Sequence, residues 1–490
     1  MKKLIKSVIS CIVASQLFVC TAFAKPDWPS DTGVQAEAGI VMDMDSGAVL
    51  FGQNIHVEYP PASITKILTA LLVLENADLD ETVTYSLSAV NNVEADSGNK
   101  SGVAQGDTMT VRDCLHALLL ISCNQTANAL AEHVAGSQEA FVQMMNNRIA
   151  EIGCTESHFD NPSGLNGETQ YVSAYDMALI AREAFKNETL REIAGTMSYQ
   201  LPPTTYSPES RTIVHEDKVL RESDQYYYPA AKAGKTGYLV KAGNTLVTYG
   251  EQDGRQLVSV ILKGSPGQYY VDGTSLLDFG FRRFQNWRID ENETDFTSGE
   301  GPIVVGDTSY EPGDLQLEAE TYITLPQDAQ FSDAEKTVTV DLPENHPENA
   351  VGLVEYSYND RAIGQAYLEL TDTYLAAAGT AGEDDSQNSS ESESEAASSQ
   401  PETEKEETAH NGIRFFWIVL VILVVLAAAA GGFLIYTRQK EEKEKERRRQ
   451  ERRRRLREEE GAQAEAEFER ILEERRQAGR NRRHNHTGRS

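Results

Sequence analysis

Hydrophobic and polar positions change period several times along this chain. Two short apolar runs, Ile40-Val41-Met42 and Ala48-Val49-Leu50, flank Asp45-Ser46-Gly47, which predicts a β-hairpin from Ala38 to Phe51. Ile67 to Leu74 is almost continuously apolar and follows Pro60-Pro61-Ala62, as expected for a buried helix. Thr110 is a candidate N-cap for a helix from Val111 to Leu120, with Asp113 at the capping-box position. Gln125 to Val134 and Gln138 to Ile152 carry apolar residues at helical spacing. Asn244 to Tyr249 and Gln256 to Leu262 are strand-like and meet across Asp253-Gly254, a hairpin signal, and Val271 to Phe284 predicts a last helix. Strands, a helical block, then strands and a helix describe one antiparallel sheet with helices packed against it, an α+β arrangement.

From about residue 290 the pattern becomes β-branched and alternating. Tyr322 to Leu325, Thr337 to Val340, Leu353 to Tyr358 and Ala362 to Leu370 predict a separate small all-β domain, with Asn359-Asp360 interrupting its last strand. Residues 376–411 are rich in Ser, Glu and Ala and predict a disordered linker. Phe415 to Tyr436 holds no charge and is long enough to cross a bilayer as a helix, with Trp417 and Tyr436 at its ends. At the other end, Lys2, Lys3 and Lys6 precede an apolar run from Val8 to Val19 that leads to Ala22-Phe23-Ala24, a signal peptide cut before Lys25. Arg438, Lys440 and Arg447-Arg448-Arg449 place the C-terminus in the cytoplasm and everything from Lys25 to about Asn411 outside. The expected division is 1–24 signal peptide, 25–289 main domain, 290–375 β domain, 376–411 linker, 412–437 transmembrane helix and 438–490 charged tail.

The net charge of -31 sharpens this picture, because it is unevenly spread. The segment after Tyr436 carries nineteen Lys and Arg against thirteen Asp and Glu, so the exported part is more acidic than the whole. That argues against nucleic acid as a partner. Cys114, Cys123 and Cys154 remain after export, an odd number that argues against a disulfide framework while leaving one pair open. The nine histidines show no metal-ligand spacing, so no metal site and no cofactor are expected.

Candidate chemistry begins at Ser63-Ile64-Thr65-Lys66, just before the Ile67 run. Positions i and i+3 share a helix face, which sets the lysine amine beside the hydroxyl it would have to deprotonate. Ser-x-x-Lys is a weak pattern, and Ser97-Gly98-Asn99-Lys100 repeats it in a Gly/Asn-rich stretch that reads as a loop. Ser122-Cys123-Asn124 falls between two predicted helices, and Lys235-Thr236-Gly237 precedes the Asn244 hairpin and is expected on a sheet edge. Ser-x-Asn recurs at Ser97, Ser357 and Ser386, and Lys100-Ser101-Gly102 is a decoy for Lys-Thr-Gly. The informative feature is all three motifs in this order on a helix, a helix junction and a strand.

This set resembles the penicillin-recognising serine hydrolases, and within them the low-molecular-mass D-alanyl-D-alanine carboxypeptidases. Pro61 to Lys66, Ser122 to Ala127, Phe141 to Asn146, Phe159 to Leu165 and Lys235 to Gly237 with Ala242-Gly243 carry the resemblance, over roughly Val34 to Phe284. It implies a β-lactamase/transpeptidase-like domain that removes the terminal D-Ala from peptidoglycan stem peptides ending in D-Ala-D-Ala. An acyl-enzyme on Ser63 and covalent inhibition by β-lactams follow from the same resemblance. It implies Lys66 as base and Ser122 as proton relay, with Asn124 holding the substrate backbone. Lys235 and Thr236 would bind the terminal carboxylate, and the N–H groups of Ser63 and Tyr238 beside Gly237 would form the oxyanion hole. The chain departs from the family at Ser163, where His is usual, and at Leu239, where Thr is usual. It also has no Arg or Lys between Gly264 and Phe281, which leaves the carboxylate to Lys235 and Thr236 or to Lys263. Alternatives are a D,D-endopeptidase acting on cross-links with the same residues, or a low-turnover peptidoglycan- and penicillin-binding protein. A class A β-lactamase would need neither the β domain nor the membrane helix. Cys123 is either a thiol lining the cleft or a small space-filler, as free Cys commonly is.

Overall fold

The structure is a computed structural model that describes residues 25–94, 97–298, 301–343 and 345–381. The signal peptide, most of the linker, the apolar run 415–436 and the tail lie outside the described residues. Among the described residues no helix is long and apolar enough to cross a membrane.

A five-stranded antiparallel sheet forms the centre. Its strands are β1 (Ala38–Asp43), β2 (Val49–Gln53), β3 (Ala231–Leu239), β4 (Gly243–Gln252) and β5 (Arg255–Gly264), in the order β2-β1-β5-β4-β3. Both faces are covered, so the strands lack the apolar/polar alternation of a half-exposed sheet. In β1, Ile40 and Met42 join the core shared with the helical block, while Val41 faces the opposite core with Leu276 and Leu277. The helical block contains α1 (Lys66–Asn76), α2 (Val111–Leu120), α3 (Asn124–Ala135), α4 (Gln138–Ile152) and α5 (Ala174–Ala184), and α6 (Gln268–Arg283) covers the other face. Thr110 caps α2 with Asp113 in a complete capping box, as its sequence predicts.

A second, four-stranded sheet pairs Leu315–Leu317, Arg361–Leu370, Ala350–Tyr358 and Glu335–Thr339 in that order over its own core. Asn359 and Asp360 have φ of 50° and 61°, so they are the two-residue turn of a hairpin rather than an interruption of one strand. The expected division at 289/290 is crossed by pairing: Phe284–Arg288 is a strand bonded to Tyr322–Pro326. The Trp28 ring lies 4.8 Å from that of Phe284 in a tilted contact, and Tyr358 Oη donates to the Pro26 carbonyl, so the segment after Lys25 also touches this region. A helix spans Asp372–Ala381, which carries regular structure past the expected start of the linker at 376.

Candidate active site

The serine–lysine pair is built where one helix type passes into another. Ala62–Thr65 form a 3₁₀ turn that runs into α1 at Lys66, a refinement of the single helix expected from the sequence. On such a turn i and i+3 eclipse, and Lys66 Nζ lies 3.0 Å from Ser63 Oγ. Ala62 has φ +54°, a left-handed conformation that costs on the order of 1 kcal/mol for a residue with a Cβ. Two threonine hydroxyls hold the segment in place: Thr65 Oγ1 donates to the Ala62 carbonyl and Thr245 Oγ1 to the Pro61 carbonyl, each at 2.9 Å.

Lys66 is wholly buried, and Nζ has three partners: Ser63 Oγ, Asn124 Oδ1 at 2.8 Å, and the Ser163 carbonyl. Two of these only accept, while a serine hydroxyl can donate. A neutral amine therefore fits the cage: its two N–H groups go to Asn124 and Ser163, and its lone pair faces the Ser63 O–H. Burial, then the Lys235 charge, hold the amine well below its ordinary pKa, which favours that neutral form. Residue 163 thus contacts Lys66 through its main chain, so the departure from His leaves this contact intact. Ser163 Oγ instead bonds Asn161 Oδ1 at 3.0 Å. Gly164 lets the loop close in, since a Cβ there would stand 1.9 Å from the Ala62 carbonyl oxygen.

Ser122 sits between α2 and α3 at φ +59° and lines the same cleft as Ser63, together with Asn124. Cys123 points the other way. Its thiol is fully buried against Ser101 Oγ, 3.5 Å from Gln125 Oε1, so it fills space rather than lining the cleft. All three described cysteines are free, which closes the possibility of a disulfide among them.

Edge strand β3 supplies the opposite wall. Lys235 is wholly buried and donates at 2.7 Å to the Thr236 carbonyl. Burial pulls its pKa down to about 8; Glu216 and Asp217 support the ammonium, and Lys100 opposes it. Thr236 and Tyr238 line the cleft, and Tyr238 is largely exposed. Gly237 lets β3 run alongside Ser63: a Cβ there would be 2.8 Å from Ser63 N and 2.3 Å from Thr245 Oγ1. The cleft between these walls has a volume of about 630 Å³, ample for a peptide terminus. A second depression, about 410 Å³ beside α6 and lined by Asp31, Asp278 and Arg283 among others, contains none of the three motifs.

The structure closes one sequence alternative and gives one predicted loop a place at the cleft. Lys263 does not line the cleft; its Nζ turns to the Lys241 carbonyl. The decoy loop does line it, through Ser97 and Lys100, and Lys100 pairs with Glu216 at 2.7 Å. No sequence pattern marks Glu216, whose place depends on a contact between positions 116 apart in sequence. Among the described residues no group of three or more His, Cys, Asp or Glu is placed to hold a metal ion.

The model of the D-alanyl-D-alanine carboxypeptidase family matches residues 25–265. D-alanyl-D-alanine carboxypeptidase DacF of Bacillus subtilis is 30% identical over 289 residues, which cover 58% of this chain and 72% of DacF. DacB2 of Mycobacterium tuberculosis, of the same description, is 36% identical over 263 residues, 52% of this chain and 84% of DacB2. For the fold alone, penicillin binding protein 5 from Haemophilus influenzae superposes with a TM-score of 0.55 at 23% identity, covering 71% of this chain and 98% of that one.

Proposed function

The chain belongs to the D-alanyl-D-alanine carboxypeptidase family, and from that premise we infer how its cleft performs the reaction. It is a serine-type D-Ala-D-Ala carboxypeptidase, a hydrolase of the cell wall with a penicillin-binding α+β fold. The observation that carries the residue assignment is the cage around Lys66, which holds Nζ 3.0 Å from the Ser63 hydroxyl oxygen.

Ser63 Oγ attacks the carbonyl carbon of the penultimate D-Ala as its proton passes to Lys66 Nζ. Negative charge then develops on the carbonyl oxygen, where the backbone N–H groups of Ser63 and Tyr238 stabilise it, a contribution of roughly 3–4 kcal/mol per donor in comparable sites. The C–N bond breaks, and D-Ala leaves as the amine after taking a proton relayed through Ser122. Water attacks the acyl-enzyme with Lys66 again as base, which frees the shortened peptide and Ser63. Asn124 serves both partners, since its Oδ1 fixes Lys66 and its Nδ2 is free to meet the peptide backbone. A β-lactam follows the first half of this path and stops at the acyl-enzyme. The uncharged stretch 415–436 and the basic residues after it support a membrane anchor that keeps the enzyme outside the cell, beside its peptidoglycan substrate.

The test is direct. Detergent-solubilised full chain is incubated with fluorescent penicillin and with a D-Ala-D-Ala pentapeptide, alongside Ser63→Ala. Covalent labelling and D-Ala release are expected from the parent, and neither from the variant. Labelling of Ser63→Ala would overturn the nucleophile assignment.

A further inference from the structure

The substrate's distinguishing group is its terminal carboxylate, and the lysine first assigned to it is poorly placed to act alone. Lys235 is wholly buried, its Nζ donates to the Thr236 carbonyl, and it does not line the cleft. Lys263 is turned away. Among the described residues that line the cleft, the basic ones are Lys100 and Lys241, and Lys241 sits near an exposed hairpin tip next to Val240, which is 88% exposed.

Lys100, by contrast, is braced. Its loop is tied to α3, the helix that begins at Asn124: Gln125 Nε2 donates to the Gly98 carbonyl at 2.9 Å, and Ser101 Oγ lies 3.0 Å from Thr126 Oγ1. Arg211 donates to the Lys100 carbonyl. Its Nζ contacts both Glu216 oxygens, at 2.7 and 3.0 Å, and Glu216 N bonds the Leu120 carbonyl two residues before Ser122. An ammonium has three N–H groups, so this bidentate contact leaves one for a ligand. Lys100 is 42% exposed, and its charge is felt at both Lys66 and Lys235.

We infer that Lys100, held by Glu216, is the second cation of this site: a specificity-determining residue that takes the terminal carboxylate of the substrate together with Thr236. This rests on the carboxypeptidase reading above. A charge-assisted hydrogen bond of this kind is worth about ten- to hundredfold in binding. The rival role is mechanical, an ion pair that only tethers the loop, as many half-exposed pairs do.

The two roles separate on a pair of substrates, a peptide ending in D-Ala-D-Ala and the same peptide with a C-terminal carboxamide. The readout is the ratio of kcat/KM for acid over amide, measured on the full chain and on Lys100→Met, Lys100→Gln and Lys100→Arg, each checked for folding by its melting curve. Lys100→Met and Lys100→Gln are expected to lower the ratio about tenfold or more, chiefly through KM, while Lys100→Arg keeps it within about threefold. A ratio unchanged in Lys100→Met and Lys100→Gln, including an equal loss on both substrates, overturns the inference in favour of tethering. Absence of D-Ala release by the parent chain overturns the carboxypeptidase reading and the inference with it. Release with an unchanged ratio overturns the inference alone.

Discussion

Two segments of this protein carry the same Ser-x-x-Lys spacing, and the fold gives them opposite chemistry. At Ser63–Lys66 the spacing lies on a 3₁₀ turn at the head of a buried helix, and the lysine is enclosed by Ser63, Asn124 and the Ser163 carbonyl. At Ser97–Lys100 it lies on a loop, and the lysine reaches a glutamate at the mouth of the cleft. Burial and the nearby Lys235 charge favour the neutral form of the first amine, the form a base needs. A carboxylate partner and open water keep the second available as a cation. Residue types and spacing are therefore insufficient; what distinguishes a base from an anion-binding group is the dielectric and the partner around the same ammonium.

The largest expected effect separates the two serines. Ser63→Ala should lower kcat by about 10⁴-fold or more, whereas Ser97→Ala in the same D-Ala release assay should stay within about twofold. Next come the lysines. Lys66→Met should cost about 10²–10⁴ in kcat, the range of a general base, and Lys66→Arg should not restore activity because a guanidinium does not give up its proton. Rescue by Lys66→Arg would show that a charge, not a base, is required there.

A backbone pair sharpens the contrast further. A Cβ at Gly237 would press on Ser63 N, while one at Gly98, beside Ser97, meets nothing within 4 Å among the described residues. Gly237→Ala should slow acylation by fluorescent penicillin about 10²-fold. Gly98→Ala, at φ +70°, should cost about 1 kcal/mol of stability with little effect on labelling. The smallest effect is on pH dependence. The acid limb of kcat/KM belongs to Lys66, which must lose its proton, and the alkaline limb, near pH 8, to Lys235, which must keep it. Lys100 lowers both values, so Lys100→Met should move both limbs to higher pH, by less than about one pH unit. A downward move of either limb would contradict the placement of Lys100 beside both lysines.

Much of the fold was legible because local signals agreed with burial. Thr110 and Asp113 marked the start of α2, and Asp253-Gly254 marked the β4–β5 turn, with φ of 52° and 78°. Asn359-Asp360 was a turn of the same kind, but without a glycine it read as an interruption. The strand Phe284–Arg288 was hidden because its partner, Tyr322–Pro326, lies far along the chain and no local pattern declares a long-range pair.

The sequence by itself determined the pairing of Ser63 with Lys66. An i,i+3 serine and lysine before an apolar run bring hydroxyl and amine together through local geometry alone. Tertiary structure decided the rest. The carbonyl of Ser163 that completes the cage, the burial of Lys235 and the meeting of Lys100 with Glu216 all depend on segments remote in sequence. These contacts set solvation and charge at each lysine, and neither quantity is encoded in spacing.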